Sequence, residues 1–295
     1  MEELLKVEKI SKTYPNGVRA NNNINFSLKT NEIIGLIGPN GAGKTTLIRQ
    51  ILKLLKPTSG NIIINDRVKK IAYVPQLPIF FPSLTVEESI KIPLKLEGLN
   101  SHEVSYKVEK ILYETGLDKI KKEYNYTLSG GQKKLIMIAL AFSQEPDVVI
   151  LDEPTSMVDI INKEKIWDLI KKYRKGKGIL LASHDMNEIK NLADKVIIIT
   201  NGEIIYKGKI EEINTKVKTP VELNISVKNI EKIENLIRRE NIVYNSNEHN
   251  YSLFFSELSE ALSFLEKIKK DNYIKYLKIE YPSFEKGVYE LVKNI

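Results

Sequence analysis

Cysteine is absent from the 295-residue chain, which excludes disulfides and thiolate metal sites and agrees with a reducing compartment. Long apolar runs are absent too. No stretch approaches the roughly 20 apolar residues that cross a bilayer, so any service to a membrane would pass through a partner. The opening MEELLKVEKI carries acids and no apolar core, which predicts no signal peptide. Neither an internal repeat nor a low-complexity tract is visible. Hydrophobic residues make up 42% and charged residues 28% of the chain, the balance of a globular protein with ample material for a core. The net charge is +7 and the isoelectric point ≈ 9.1. The lysines are spread over the whole length, so this charge predicts a diffuse basic surface and no direct nucleic-acid contact.

Apolar patterning divides the chain into modules. Leu4–Ile10 and Ile24–Leu28 read as strands around the turn-like Tyr14-Pro15-Asn16-Gly17. Ile33–Ile37 is a short apolar run entering a glycine-rich loop, and Lys44–Leu55 has helical spacing. Asn61–Ile64 and Lys70–Val74 read as short strands. Thr85 to Phe142 is mostly helical, with capping-box spacings at Thr85/Glu88 and Asn100/Glu103 and a helix stop at Gly116. Strands then return at Val148–Leu151, Gly178–Ser183 and Lys195–Thr200, separated by helices near Asn162–Lys175 and Met186–Leu192, which implies a largely parallel sheet. Beyond Pro220 the order strand (Val221–Val227), helix (Ile230–Arg239), strand (Ile242–Tyr244), strand (Ser252–Phe255), helix (Leu258–Ile268), strand (Ile274–Glu280) is the split-βαβ arrangement. A last helix is expected over Phe284–Val292.

Gly38-Pro39-Asn40-Gly41-Ala42-Gly43-Lys44-Thr45 matches G-x-x-x-x-G-K-[ST] between a buried strand and a helix. Glycines let backbone N–H groups converge on phosphate oxygens, and the following helix points its positive end at them. Lys44 supplies a mobile cation for the β- and γ-phosphates, while Thr45 offers a hydroxyl to Mg2+. Thr46 continues the loop into the helix. Val148-Val149-Ile150-Leu151-Asp152-Glu153 is an apolar strand ending in two carboxylates. Beside a phosphate loop, Asp152 suits the Mg2+ shell and Glu153 suits polarisation of an attacking water. ATP and Mg2+ are the expected ligands.

Leu128-Ser129-Gly130-Gly131-Gln132 resembles the signature motif of ABC transporter ATPases in full, and it lies between the phosphate loop and the acidic strand as in that family. The resemblance spans Leu4 to Gly208. It implies a P-loop NTPase fold of ABC type: an α/β core with a mostly parallel sheet, an N-terminal antiparallel β part and a helical subdomain at about 85–142, together occupying 1–215. A small ferredoxin-like α+β domain over 220–295 completes the expected fold. Tyr14 resembles the aromatic residue that stacks on adenine. Gln76 looks like the Q-loop glutamine, which contacts Mg2+ and water and senses the membrane partner. Ser156–Asp159 looks like the D-loop at the dimer interface, with Met157 and Val158 replacing the usual small residue and leucine. His184 resembles the switch histidine at the γ-phosphate. Leu135 and Leu140 stand where the family usually has arginines.

The resemblance further implies a head-to-tail pair with a second ATPase subunit, identical or paralogous, in which Ser129 and Gly131 of one chain face the nucleotide of the other. It also implies integral membrane permease subunits as partners, with the ATPase at the cytoplasmic face and Phe80, Phe81 and Leu84 as candidate apolar contacts. The ending Ile279-Glu280-Tyr281-Pro282-Ser283-Phe284-Glu285 resembles a pattern in drug and bacteriocin exporters, which favours export. A soluble assembly-type ATPase and an importer subunit fit the same motifs, and the transported substrate leaves no trace in this chain.

Overall fold

The protein is described by a computed structural model over residues 2–213, 221–227, 230–269, 274–281 and 284–293. Two compact units emerge, Met1–Gly208 and Lys209–Ile295.

The first unit contains β1 (Glu3–Thr13), β2 (Arg19–Lys29), β3 (Glu32–Ile37), α1 (Lys44–Ile51), β4 (Ser59–Ile64), β5 (Ile71–Val74), α2 (Val86–Leu96), α3 (Ser101–Thr115), α4 (Gly130–Ser143), β6 (Val148–Asp152), α5 (Ile160–Tyr173), β7 (Gly178–Ala182), α6 (Met186–Leu192), β8 (Lys195–Thr200) and β9 (Glu203–Lys209). Among the described residues, β2-β1-β4 form an antiparallel sheet and β5-β6-β7-β3-β8-β9 a second sheet. The five strands from β5 to β8 run parallel, as the strand–helix alternation predicts. Leu47, Ile48 and Ile51 of α1 are buried in one cluster with Leu4 and Ile24 of the first sheet and Ile150 and Leu180 of the second. Burying each such side chain is worth about 1.5–3 kcal/mol, so the helix that follows the phosphate loop is anchored from both sides.

Strands β1 and β2 run beyond the expected Leu4–Ile10 and Ile24–Leu28, and α1 and β9 also depart from the pattern. Helix α1 stops at Ile51 because Lys53 turns to φ 58 and the N–H groups of Leu54 and Leu55 close back on Arg49 O. Strand β9 lies beyond the strands that the apolar patterning marks. It follows the Asn201-Gly202 turn, whose φ values of 49 and 78 are those of a tight hairpin.

The helical block is started by side chains. Thr85 with Glu88 and Asn100 with Glu103 form reciprocal capping boxes, and Gly116 closes α3 in the left-handed region at φ 68. The buried Asn125 ties the loop before α2 to the helix, donating to Phe81 O (2.9 Å) and Ser89 Oγ (2.7 Å).

The second unit contains β10 (Val221–Val227), α7 (Ile230–Arg239), β11 (Val243–Asn247), β12 (Asn250–Phe255), α8 (Leu258–Lys269), β13 (Ile274–Glu280) and α9 (Phe284–Lys293). Its sheet order is β11-β12-β10-β13 with antiparallel pairing throughout, the ferredoxin-like topology. Val221, Leu223, Ile225 and Val227 alternate inward and pack with Ile233, Ile237, Tyr251, Phe255 and Phe264. Pro220, Pro282 and Ser283 lie outside the described residues.

Candidate functional site

The loop between β3 and α1 is shaped by two close approaches. A Cβ on Gly38 would stand 2.2 Å from Ile199 O, and one on Gly43, at φ 103, would stand 2.1 Å from Ala20 O. Side chains at either position would push the loop off the sheet. Behind the loop, the buried Gln50 donates to Asn21 Oδ1 at 2.7 Å, and Asn21 donates to Gly43 O at 3.2 Å. This amide pair fixes α1 against β2. Tyr14, half-buried at the end of the first hairpin strand, shares a hydrogen bond of 3.3 Å with Thr46 Oγ1, so the aromatic ring stands beside the loop.

A cleft is lined by Ala20, Pro39, Asn40, Gly41, Ala42, Gly43, Lys44, Thr45, Thr46, Gln76, Asp152, Glu153 and His184. Residues far apart in sequence therefore meet at one end of the parallel sheet, past the carboxyl ends of β3, β5, β6 and β7. Lys44 Nζ donates to Gly38 O (2.6 Å) and Pro39 O (3.3 Å), bonds that a flexible stem can exchange for phosphate oxygens. Burial lowers the Lys44 pKa, with Glu153 and Asp152 opposing the shift. Thr45 Oγ1 donates to Asp152 Oδ2 at 3.3 Å. Burial raises the Asp152 pKa despite that hydrogen bond and the Lys44 ammonium, so a cation beside this carboxylate would offset its desolvation. A hydroxyl and one carboxylate next to a phosphate loop form the oxygen donor set that Mg2+ uses together with substrate phosphates, and the residues present fit that ion.

Glu153 is 6% exposed and has φ 52. Its Oε2 lies 2.7 Å from His184 Nδ1. Its N–H donates to Ala182 O (2.8 Å) across to β7. The carboxylate and imidazole thus face each other over the cleft, one buried and one exposed.

The remaining expected residues stand elsewhere. Among the described residues that line the cleft there is no Ser129, Gly130, Gly131, Gln132 or Asp159. Ser129 caps α4 in a capping box: its Oγ accepts from Gln132 N (3.2 Å) and Gln132 Oε1 accepts from Ser129 N (2.8 Å). Asp159 caps α5 through Asn162 N (3.0 Å). The two caps adjoin, for a Cβ on Gly131 would lie 3.1 Å from Asn162 Nδ2 and 3.3 Å from Asp159 Oδ2. Around them Met157, Ile160 and Ile161 are exposed, Met157 to 99%.

A second, apolar groove of about 210 Å3 lies against α2, α4 and the segment after Gln76. Tyr73, Phe80, Phe81, Leu84, Ile92 and Leu140 are among its lining. All three candidate apolar contacts therefore lie in one groove. Leu140 adds to its wall, while Leu135 is buried in the core at 2% exposure; both are apolar where the family has arginines.

One buried residue beside the site escaped the motif reading. Lys134, two residues beyond the signature, is 2% exposed and donates to Glu153 O (3.0 Å) and Pro75 O (3.3 Å). In the sequence it is the second of two adjacent lysines, a pattern that reads as solvated surface.

Comparison with known proteins gives the following likenesses. The family model described as ABC transporter matches residues 21–156. The chain is 34% identical over 289 residues to the energy-coupling factor transporter ATP-binding protein EcfA2 of Clostridium perfringens, covering 91% of this chain and 99% of that protein. It is 38% identical over 230 residues to the methionine import ATP-binding protein MetN 1 of Bacillus cereus, covering 73% of this chain and 66% of the relative. A solved dimeric ATP-binding cassette in a post-hydrolysis state with ADP and Pi superposes with TM-score 0.63 at 29% identity, covering 70% of this chain and 98% of that one.

Proposed function

The chain belongs to the ABC transporter ATP-binding family, whose domains bind and hydrolyse ATP, and from that premise we propose that it works as a head-to-tail pair driving export through separate membrane-spanning subunits. The observation that carries the pairing is the separation just described. Phosphate loop, acidic strand end and switch histidine share one cleft, whereas the signature serine tops another helix beside Asp159. A nucleotide held by one chain completes its contacts on Ser129 and Gly131 of a second.

In this reading the loop N–H groups and Lys44 bind the phosphates, and Tyr14 stacks on the adenine. Thr45, Asp152 and Gln76 would hold Mg2+, which would supply positive charge to offset that of the phosphates. Glu153 takes a proton from the water whose oxygen attacks the γ-phosphorus as the bond to the β–γ bridging oxygen breaks. His184, oriented by Glu153, donates to a γ-phosphate oxygen. Removal of the γ-phosphate deletes contacts made only in the closed pair, so the pair opens. Two states and a ligand with differential contacts suffice for a motor.

The apolar groove after Gln76 supports a membrane partner. It presents Phe81 and Ile79 to solvent at 73% and 76% exposure, beside the loop that carries a cleft residue. A helix of the permease seated there would feel any shift of Gln76. Such a partner places the chain at the cytoplasmic face of the membrane. Among the described residues no helix is long and apolar enough to cross a bilayer.

Export rests on the exporter-like ending, of which Ile279–Tyr281 and Phe284–Glu285 are described. Import is a second reading, favoured by the 38% identity to a methionine import protein. Purification from detergent-solubilised membranes tests the transporter reading: a multispanning partner is expected, and a wholly soluble complex would point to an assembly ATPase. Sealed vesicles reconstituted with that partner then report direction. Substrate leaving the ATPase-bearing side is the expected result, and accumulation on that side would establish import.

A further inference from the structure

Lys134 lies outside every motif, yet it is 2% exposed, a rare position for a lysine unless it is paired. Its neighbour Lys133 is only half-buried. Desolvation pushes the Lys134 pKa down to about 8, against the pull of Asp152, Glu153 and Glu188. What holds the ammonium is a pair of backbone carbonyls, Glu153 O at 3.0 Å and Pro75 O at 3.3 Å. The first belongs to the residue proposed as base, and the second immediately precedes Gln76.

Glu153 needs such support. A left-handed backbone, φ 52 here, is unfavourable for a non-glycine residue and persists only where the surroundings impose it. Its N–H is tied to Ala182 O (2.8 Å). Its carbonyl accepts from Ser156 N (3.2 Å), Ser156 Oγ (3.1 Å) and Lys134 Nζ. The Ser156 bonds are local and travel with the turn. The Lys134 bond reaches the turn from α4, the helix that begins at Ser129.

We infer that Lys134 is a positioning residue, whose ammonium fixes the Glu153 turn and the Gln76 loop to the signature helix so that engaging a nucleotide with Ser129 also aligns the water-activating groups. The inference rests on the ATPase reading of the cleft. Lys134 does not line the cleft and its hydrogen bonds go to these two carbonyls, so its removal is expected to act on the chemical step more than on nucleotide binding.

The test is K134M, which keeps the length of the side chain and removes the donor. Steady-state hydrolysis, fluorescent-nucleotide binding and thermal unfolding are measured on the full chain. A shift of the base by about 1 Å can cost 100-fold in rate, so kcat is expected to fall about tenfold or more while nucleotide Kd stays within about threefold and Tm is no lower than in the wild type. A smaller fall in kcat, or an equal loss in binding, overturns the inference. If K134M does not fold, K134L, which also lacks the donor, is held to the same criteria. Failure of both to fold would make Lys134 a packing residue and overturn the inference as well. A wild-type chain that neither binds nor hydrolyses ATP would instead overturn the ATPase reading, and the same assays reveal this before any variant is compared.

Discussion

A carboxylate that takes a proton from water beside a phosphate must be held in place and kept basic. Glu153 is held by its left-handed turn, by Ala182 and by His184 at 2.7 Å. E153Q keeps the shape and removes the basicity, so kcat should drop by about 100- to 10,000-fold with nucleotide affinity little changed; single-turnover and binding assays separate the two. G43A should remove nucleotide binding and destabilise the fold by about 1–3 kcal/mol, measured by chemical denaturation, because the new methyl would meet Ala20 O at 2.1 Å. That Lys44, Thr45, Asp152, Glu153 and His184 share one cleft was expected from the sequence, the first four because they belong to contiguous motifs whose chemistry depends on local spacing and His184 from the family resemblance. Lys134 and the Asn21–Gln50 pair were not. Their partners lie 19 and 29 residues away, and nothing local marks a lysine or an amide as buried.

Helices and strands with strong local signals were equally readable. Thr85, Asn100 and Gly116 announce the ends of α2 and α3 through side-chain and backbone chemistry confined to one turn. The end of α1 was not, since Leu52–Leu55 continue an apolar pattern while Lys53 breaks the helix by its backbone alone. At this scale the groove along α2 and α4 makes its own prediction. Phe81 is 73% exposed, so F81D should leave stability within about 0.5 kcal/mol and leave soluble ATPase activity intact, yet abolish recovery of the membrane partner in a pull-down. Helix α4 supplies a pH test. The folded-state pKa of Lys134, about 8, lies below the ordinary 10.5. Between those values the unfolded chain binds more protons, so this residue makes wild-type stability rise with pH across the window. K134M lacks that contribution. Its stability relative to wild type, from denaturant titrations, should therefore be highest below pH 8 and decline towards pH 10.5.

For the whole molecule the decisive feature is incompleteness. One chain gathers a phosphate loop, two carboxylates and a histidine in one cleft, and presents its signature serine elsewhere, beside exposed Met157, Ile160 and Ile161. On the proposed reading a second chain brings the two halves to one nucleotide, and that is the central claim. Mixing K44A with S129R tests it directly. The heterodimer would have one site with both defects and one with none. Each variant alone should be nearly inactive, and the mixture should regain ATP turnover that rises with the concentration of both. An S129R chain that hydrolyses ATP at the wild-type rate on its own, or a mixture no more active than the sum of its parts, would contradict the account.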